Sequence, residues 1–249
     1  MATQADVPRI ALSLPETEET QNLLHRAALA AALMSRTAAP YDRKAAVYDA
    51  IVGRAIYHRV FWGTSAGSFA RFGRTALDAA KDGHFAEVGC GSLLFTAPMY
   101  LEDHVRQVAL VDRSRGMLRR GLKRLGSTRS AAPRGITLLH ADGSALPLRT
   151  GAFSAILSLN LLHVPCDRRA IIAECARSLL PGRGRLFVSS LVRSGRWSDA
   201  WLATLHRAGE LGSPFTLDEL GETVAGRWAV IESKTVEGNM CFMVLRHAG

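Results

Sequence analysis

No stretch of this 249-residue sequence approaches the ~20 consecutive apolar residues of a membrane-spanning helix. A secretory core is missing too: the N-terminus carries Asp6, Glu16, Glu18 and Glu19, so it resembles neither a signal nor a transit peptide. Cysteine is scarce. Cys90, Cys166, Cys175 and Cys241 are scattered without a C-x-x-C pair, which argues against a disulfide framework or a thiolate metal site. Free, mostly buried thiols in a reducing cytoplasm are expected. There is no internal repeat and no low-complexity linker, so one domain is expected, and at 48% hydrophobic residues it can bury a sizeable core.

Lysine is sparse beside arginine, and the net charge is +9. Such a chain can attract RNA, anionic lipid or acidic substrates, and composition does not choose among them. The densest cluster, Arg113, Arg115, Arg119, Arg120, Lys123 and Arg124, alternates with apolar residues at helical period. That pattern reads as the solvated face of a helix. No interleaved aromatics offer stacking platforms for single-stranded nucleic acid.

What is present is organised around His84–Leu93. Phe85, Ala86 and Val88 rise to Gly89-Cys90-Gly91, after which a helical pattern begins. A short apolar run bounded by glycines reads as a buried parallel strand with its exit turn. Glycine is expected there because a ligand lies against the backbone where a Cβ would collide. Such turns serve dinucleotides and S-adenosylmethionine alike.

Residues 1–15 read as a poorly ordered arm. Helices are expected from Glu16 to about Arg36, from Asp42 through Ile51, and from Ser68 to Ala80. Strands then alternate with helices: strands at 84–89, 107–112, 136–141, 153–159 and 185–191, helices near 95–104 and 115–126, and one capped by Asp167. This alternation predicts parallel strands with right-handed crossovers. Thr216-x-x-Glu219 is a capping box. Two final strands, near 228–235 and 240–246, turn through Glu237-Gly238-Asn239 and place one antiparallel strand in the sheet.

Four features fall at the carboxyl ends of successive strands, where an open α/β sheet binds its ligand. Glu87 to Gly91 follows the first strand. Asp112 ends the second, where a carboxylate can accept bonds from ribose hydroxyls; the alternative is a helix cap. Asp142-Gly143 follows the third, beside an expected adenine amino group, and Asn160-Leu161-Leu162-His163 follows the fourth. A dinucleotide fingerprint would place its third glycine at Leu94.

Here the chain resembles the class I S-adenosylmethionine-dependent methyltransferases, in particular the small-molecule, quinone and related lipid methyltransferases. The resemblance rests on Glu87-Val88-Gly89-Cys90-Gly91, Asp112-Arg113-Ser114 with Met117-Leu118, Ala141 to Pro147, Phe153, Asn160 to His163, and Leu179 to Leu186. It implies a Rossmann-like, doubly wound α/β fold: a seven-stranded, mostly parallel sheet with one antiparallel strand, helices on both faces and extra N-terminal helices. It also implies S-adenosyl-L-methionine as cofactor and S-adenosyl-L-homocysteine as product. The residues it assigns to the cofactor are Glu87, Gly89, Cys90, Gly91, Asp112, Arg113, Met117, Asp142, Gly143, Asn160 and Leu161. Residues 84–249 would form the methyltransferase core and 1–83 an arm and helical lid on it. Tyr41, Tyr48, Tyr57, Trp62, Trp197 and Trp201 would wall the acceptor cavity. His163 stands as either a catalytic base or a structural histidine.

The family's third turn glycine is replaced by Leu93, whose side chain would narrow the methionine end of the pocket or shift the turn. The reaction requires no metal. The expected acceptor is a small or lipid-like molecule, its nucleophilic atom left open. Alternatives are an RNA-modifying or RNA-binding protein using the basic surface, and a non-catalytic cofactor-binding domain.

Overall fold

Each apolar run that precedes a turn becomes a strand of one sheet. The computed structural model describes residues 62–81, 83–102, 107–126, 133–164, 167–195 and 198–249. Tyr41, Tyr48, Tyr57, Cys166 and Trp197, and the helices expected between Glu16 and Ile51, lie outside these.

The strands are β1 (His84–Val88), β2 (Val108–Asp112), β3 (Ile136–His140), β4 (Phe153–Leu159), β5 (Arg185–Leu191), β6 (Ala229–Glu237) and β7 (Met240–His247). They form a seven-stranded sheet in the order β3-β2-β1-β4-β5-β7-β6. β1 to β5 pair in parallel, whereas β7 is antiparallel to both β5 and β6. β7 is therefore the single reversed strand, as the Gly238-Asn239 turn predicts. Strand order reverses between β1 and β4, and such a switch point opens a crevice at the carboxyl edge of the sheet. Edge strand β6 is mostly exposed and carries Glu232 and Lys234, charges that discourage edge-to-edge pairing.

Helices among the described residues are α1 (Ala66–Ala80), α2 (Ala97–Glu102), α3 (Arg115–Arg124), α4 (Arg168–Ser178), α5 (Ser198–Arg207) and α6 (Leu217–Ala225). Alternate strand residues feed two cores, as the two-residue period requires. Leu157, Phe187 and Phe242 join α1, α2, α3 and α5 on one face. Ile156, Val188 and Met243 join α4 and α6 on the other. Caps set the boundaries: Ser65 accepts from Ser68 N at 3.1 Å, Asp167 from Ala170 N at 3.1 Å, and the Thr216–Glu219 box closes in both directions. Since Ser65 takes the cap, α1 begins two residues before the expected Ser68.

α1 falls within the range expected to form arm and lid, yet it covers the sheet over β1, β4 and β5. Its Phe69 is fully buried and stacks on Phe95 at 4.7 Å, while Phe72 meets Phe187 and Phe242 edge-on at 5.5 and 5.1 Å. Truncating Phe69 to alanine would cost about 3–5 kcal/mol. The core thus extends upstream of residue 84.

Trp62 also differs from its expected place. It is 4% exposed and packs in the first core. Its carbonyl accepts from Asn239 N at 2.9 Å, and a Cβ on Gly238 would lie 2.0 Å from that oxygen. Asn239 is fully buried and saturated: its amide donates to Val192 O and Asp199 Oδ1, and Ser198 Oγ donates to its Oδ1. This network pins Trp62 to the β6–β7 turn.

Among the described residues, no helix is long and apolar enough to cross a membrane.

Candidate active site

Where β1 ends, Gly89 and Gly91 take positive φ, 71° and 54°. A Cβ at Gly89 would sit 2.9–3.1 Å from the Leu161 side chain, so a protein neighbour, not a ligand, excludes a side chain there. A Cβ at Gly91 would meet nothing within 4 Å. Gly91 N donates to Asp112 Oδ2 at 2.8 Å, and Ser114 N to Asp112 Oδ1 at 2.7 Å. Asp112 thereby binds the end of β2 to the glycine turn. Capping of α3 falls instead to Ser114, which accepts from Met117 N at 3.2 Å. Burial pushes the Asp112 carboxyl upward, against the pull of those two amides.

Leu93 keeps the positive φ, 57°, that a glycine would adopt, but its side chain turns away from the cleft into the core. The expected narrowing of the pocket does not occur. Positive φ costs a leucine roughly 1–2 kcal/mol, and burying its side chain returns about 1.5–3 kcal/mol. Burial wins.

Glu87 is 2% exposed at the base of the turn. Tyr100 Oη donates to its Oε2 at 2.6 Å and Thr96 Oγ1 to its Oε1 at 3.3 Å. Burial pushes this carboxyl up to about 7; the two hydroxyls oppose the shift and Asp112 adds to it. Burial, with Glu87 and Asp112 nearby, also drives the Cys90 thiol well above its usual range. Sequence reasoning missed Thr96 and Tyr100. Their four-residue spacing, which brings two hydroxyls to one side of a helical turn, is the signal that could have found them.

Across the cleft, Asp142 Oδ1 accepts from Ser144 N at 2.9 Å and Oγ at 2.8 Å, and the backbone bond leads in holding its carboxyl below the usual range. The loop beyond is clamped by α4. Leu146 N donates to Glu174 Oε2 at 2.8 Å, and Arg177 donates to Leu146 O and Leu148 O at 3.1 and 3.0 Å. Asn160, at φ 57°, ties to Ser189 through backbone and side chain.

These groups converge on one cleft, with a cavity of about 130 Å³, at the carboxyl ends of β1, β2 and β4. All eleven residues assigned to the cofactor from sequence line it. Val164, expected at the crevice floor, joins them, as do Leu94, Phe95, Leu159 and Ile171, apolar walls that sequence reasoning did not place there.

His163, Trp62 and Trp201 do not line it. Nδ1 of His163 accepts from Leu191 N at 3.1 Å, and burial, aided by Arg168, holds the ring neutral down to about 3. Those contacts tie the ends of β4 and β5. Trp201 packs on the first core. Arg119 and Lys123 are exposed as expected, but Arg124 is not a free surface charge: its Nη1 donates to Ser92 O at 2.7 Å.

Residues 86–188 match a family model described as "Methyltransferase domain". No curated protein matches the sequence significantly. Several solved structures share the fold. The geranyl diphosphate C-methyltransferase from Streptomyces coelicolor A3(2), in complex with Mg2+, geranyl diphosphate and S-adenosyl-L-homocysteine, is 14% identical, with 86% of this chain and 85% of that one covered at a TM-score of 0.60. A SAM-dependent methyltransferase from Thermotoga maritima is 16% identical over 83% of this chain and 98% of its own, TM-score 0.59. The [4+2]-cyclase SpnF is also 16% identical, with 83% and 94% covered and a TM-score of 0.61. At such identities the likeness concerns the fold, and a cyclase among these structures means that fold alone does not select the reaction. Over residues 86–188 the chain is thus similar to the methyltransferase-domain family, and it shares its fold with solved S-adenosylmethionine-dependent methyltransferases.

Proposed function

We propose that the cleft binds S-adenosylmethionine and that the protein transfers its methyl group to a small or lipid-like acceptor. The carrying observation is the convergence of Glu87, Gly91, Asp112 and Asp142 on one cleft at the strand-order switch point. The donors suit the group: Gly91 leaves space that a Cβ would fill, and Glu87 is a carboxylate buried beside it. Asp112 would accept from the ribose hydroxyls, Asp142 from the adenine amino group, and Glu87 would face the ammonium of the methionine end.

When bound, the cofactor supplies a methyl group made electrophilic by its sulfonium. The protein's task is to align the acceptor and exclude water. Leu94, Phe95, Leu159 and Val164 offer an apolar surface for that purpose, which favours a small or lipid-like acceptor. His163 acts as a tie between strands in this reading and takes no proton. Tyr41, Tyr48 and Tyr57, which lie outside the described residues, remain in this reading the proposed contributors to the acceptor site. Trp62 is pinned at the end of β6, on the sheet edge that bears the cleft.

Exposed Arg113, Arg115, Arg119 and Lys123 on and before α3 support a second reading, an RNA acceptor. Calorimetric titration with S-adenosylhomocysteine, then a methyl-transfer screen over apolar small molecules and RNA, tests both. Absence of binding to the intact protein overturns the cofactor reading. Transfer to RNA with a steep salt dependence replaces the acceptor reading.

A further inference from the structure

We propose that Leu93, Gly121 and Arg124 form a brace by which α3 positions the glycine turn, in place of the glycine that Leu93 replaces. The inference rests on the cofactor reading above but names residues that reading does not use.

Gly121 is buried in α3, and a Cβ there would come 3.1 and 3.2 Å from Leu93 Cγ and Cδ1, and 3.6 Å from Gly91 O. The leucine is thus a knob seated in a notch that only glycine leaves open. The turn's backbone rests on the same notch. Three residues further along α3, on the same helical face, Arg124 reaches back and donates to Ser92 O at 2.7 Å. Leu93 N donates to Cys90 O at 3.1 Å, and Leu93 O accepts from Ala97 N at 3.0 Å, so the braced residue also leads into α2. From the other side Asp112 holds Gly91 N. Both sides of the turn are therefore fastened, one by β2 and one by α3.

A glycine at position 93 would allow the turn many backbone conformations. Here a buried side chain and a guanidinium select one, and that one aims Gly91 and Ser92 at the cleft. Arg124 and the Leu93–Gly121 pair are positioning residues: they act on a ligand only through the turn.

The test uses the full chain with Arg124→Met, Arg124→Lys, Gly121→Ala, Leu93→Gly and the double variant Leu93→Gly/Gly121→Ala. Two quantities are read: S-adenosylhomocysteine affinity by calorimetry, and hydrogen exchange of the amides at 91–93 without ligand. Arg124→Met should weaken binding about tenfold, the scale of one lost hydrogen bond, and speed exchange in the turn, with lysine restoring part of both. Gly121→Ala should weaken binding in the parent but much less in the Leu93→Gly background, since the two residues share one contact. Unchanged exchange and affinity in Arg124→Met, or equal Gly121→Ala effects in both backgrounds, would overturn the brace. If the parent chain fails to bind the ligand, the cofactor reading falls, and the exchange data still decide the brace.

Discussion

Tyr100 donates its hydroxyl to Glu87 at 2.6 Å, in a pocket wall where neither side chain is more than 3% exposed. The carboxyl is held at about 7 because burial outweighs this bond and that from Thr96. Ionised Glu87 attracts a cationic ligand end and protonated Glu87 does not. Affinity for S-adenosylhomocysteine should therefore rise from pH 6 to pH 8 and then level. Tyr100→Phe removes a bond that favours the ionised form, so its midpoint should move to higher pH. Affinity that stays flat across this range would detach Glu87 from the ligand's charge.

The same group leaves a mark on the ligand-free protein. Its folded-state value, about 7, lies above the ordinary 4.5, so the folded chain holds a proton that the unfolded chain has released. The contribution is fully present below pH 4.5, fades as pH rises to 7 and is flat above. A shift of this size corresponds to roughly 3 kcal/mol. Glu87→Gln should abolish this part of the slope in urea unfolding between pH 4.5 and 7.5. A Glu87→Gln profile parallel to the parent's would show that the carboxyl titrates as it does in the unfolded chain.

Asp112 joins Gly91 N and Ser114 N, so its loss acts on both ligand and turn. Asp112→Ala should weaken S-adenosylhomocysteine by about 1.5–3 kcal/mol, one charge-assisted bond, and Asp112→Asn by less. Isothermal titration of both variants checks this order. Equal affinity in parent and alanine variant would remove Asp112 from the ligand.

Arg177 makes its bonds from α4 to Leu146 O, Leu148 O, Thr150 Oγ1 and Glu174. The Arg177 hydrogen bond is the leading reason that the Glu174 carboxyl lies below its usual range. Its stabilising contribution is therefore present at neutral pH and lost as pH falls through that lowered value. Arg177→Met should free the Asp142 loop, cost about 1–3 kcal/mol at pH 7, and cost less once acid has protonated Glu174. An acid-unfolding midpoint equal to the parent's would contradict the clamp.

Strand positions were legible because β1, β4 and β5 are buried on both faces and read as largely apolar runs between turns. The cleft was legible for a related reason: its residues sit where those runs end, and the chain direction alone brings the ends together. Side chains that act at a distance were not. Arg124 belongs to a cationic helix face, and only the fold shows it reaching back to Ser92. Leu93 in a glycine position suggested a narrowed pocket or a shifted turn, since nothing in the sequence pairs it with Gly121. Trp62 looked like lid material because the partner that pins it, Asn239, lies at the far end of the chain.

That placement of Trp62 sharpens the last prediction, which concerns the chain before it. Trp62 is buried in the first core and fastened to the β6–β7 turn, so a truncation that preserves the core must leave it in place. Removing residues 1–61 should yield a folded protein that keeps S-adenosylhomocysteine affinity within about threefold, since among the described residues the cleft is lined from Glu87 onward. Removing 1–62 should cost a further 3–5 kcal/mol or so, the scale of a deleted core tryptophan. Removing 1–15 should change nothing. If Tyr41, Tyr48 and Tyr57 help enclose the acceptor, the 62–249 chain should bind cofactor and yet fail to methylate, because water reaches the sulfonium and the acceptor finds no second wall. Thermal melts and affinity separate folding from binding, and turnover on the acceptor found by screening reads the lid alone. Full turnover by residues 62–249 would leave the acceptor site to the loops of the sheet.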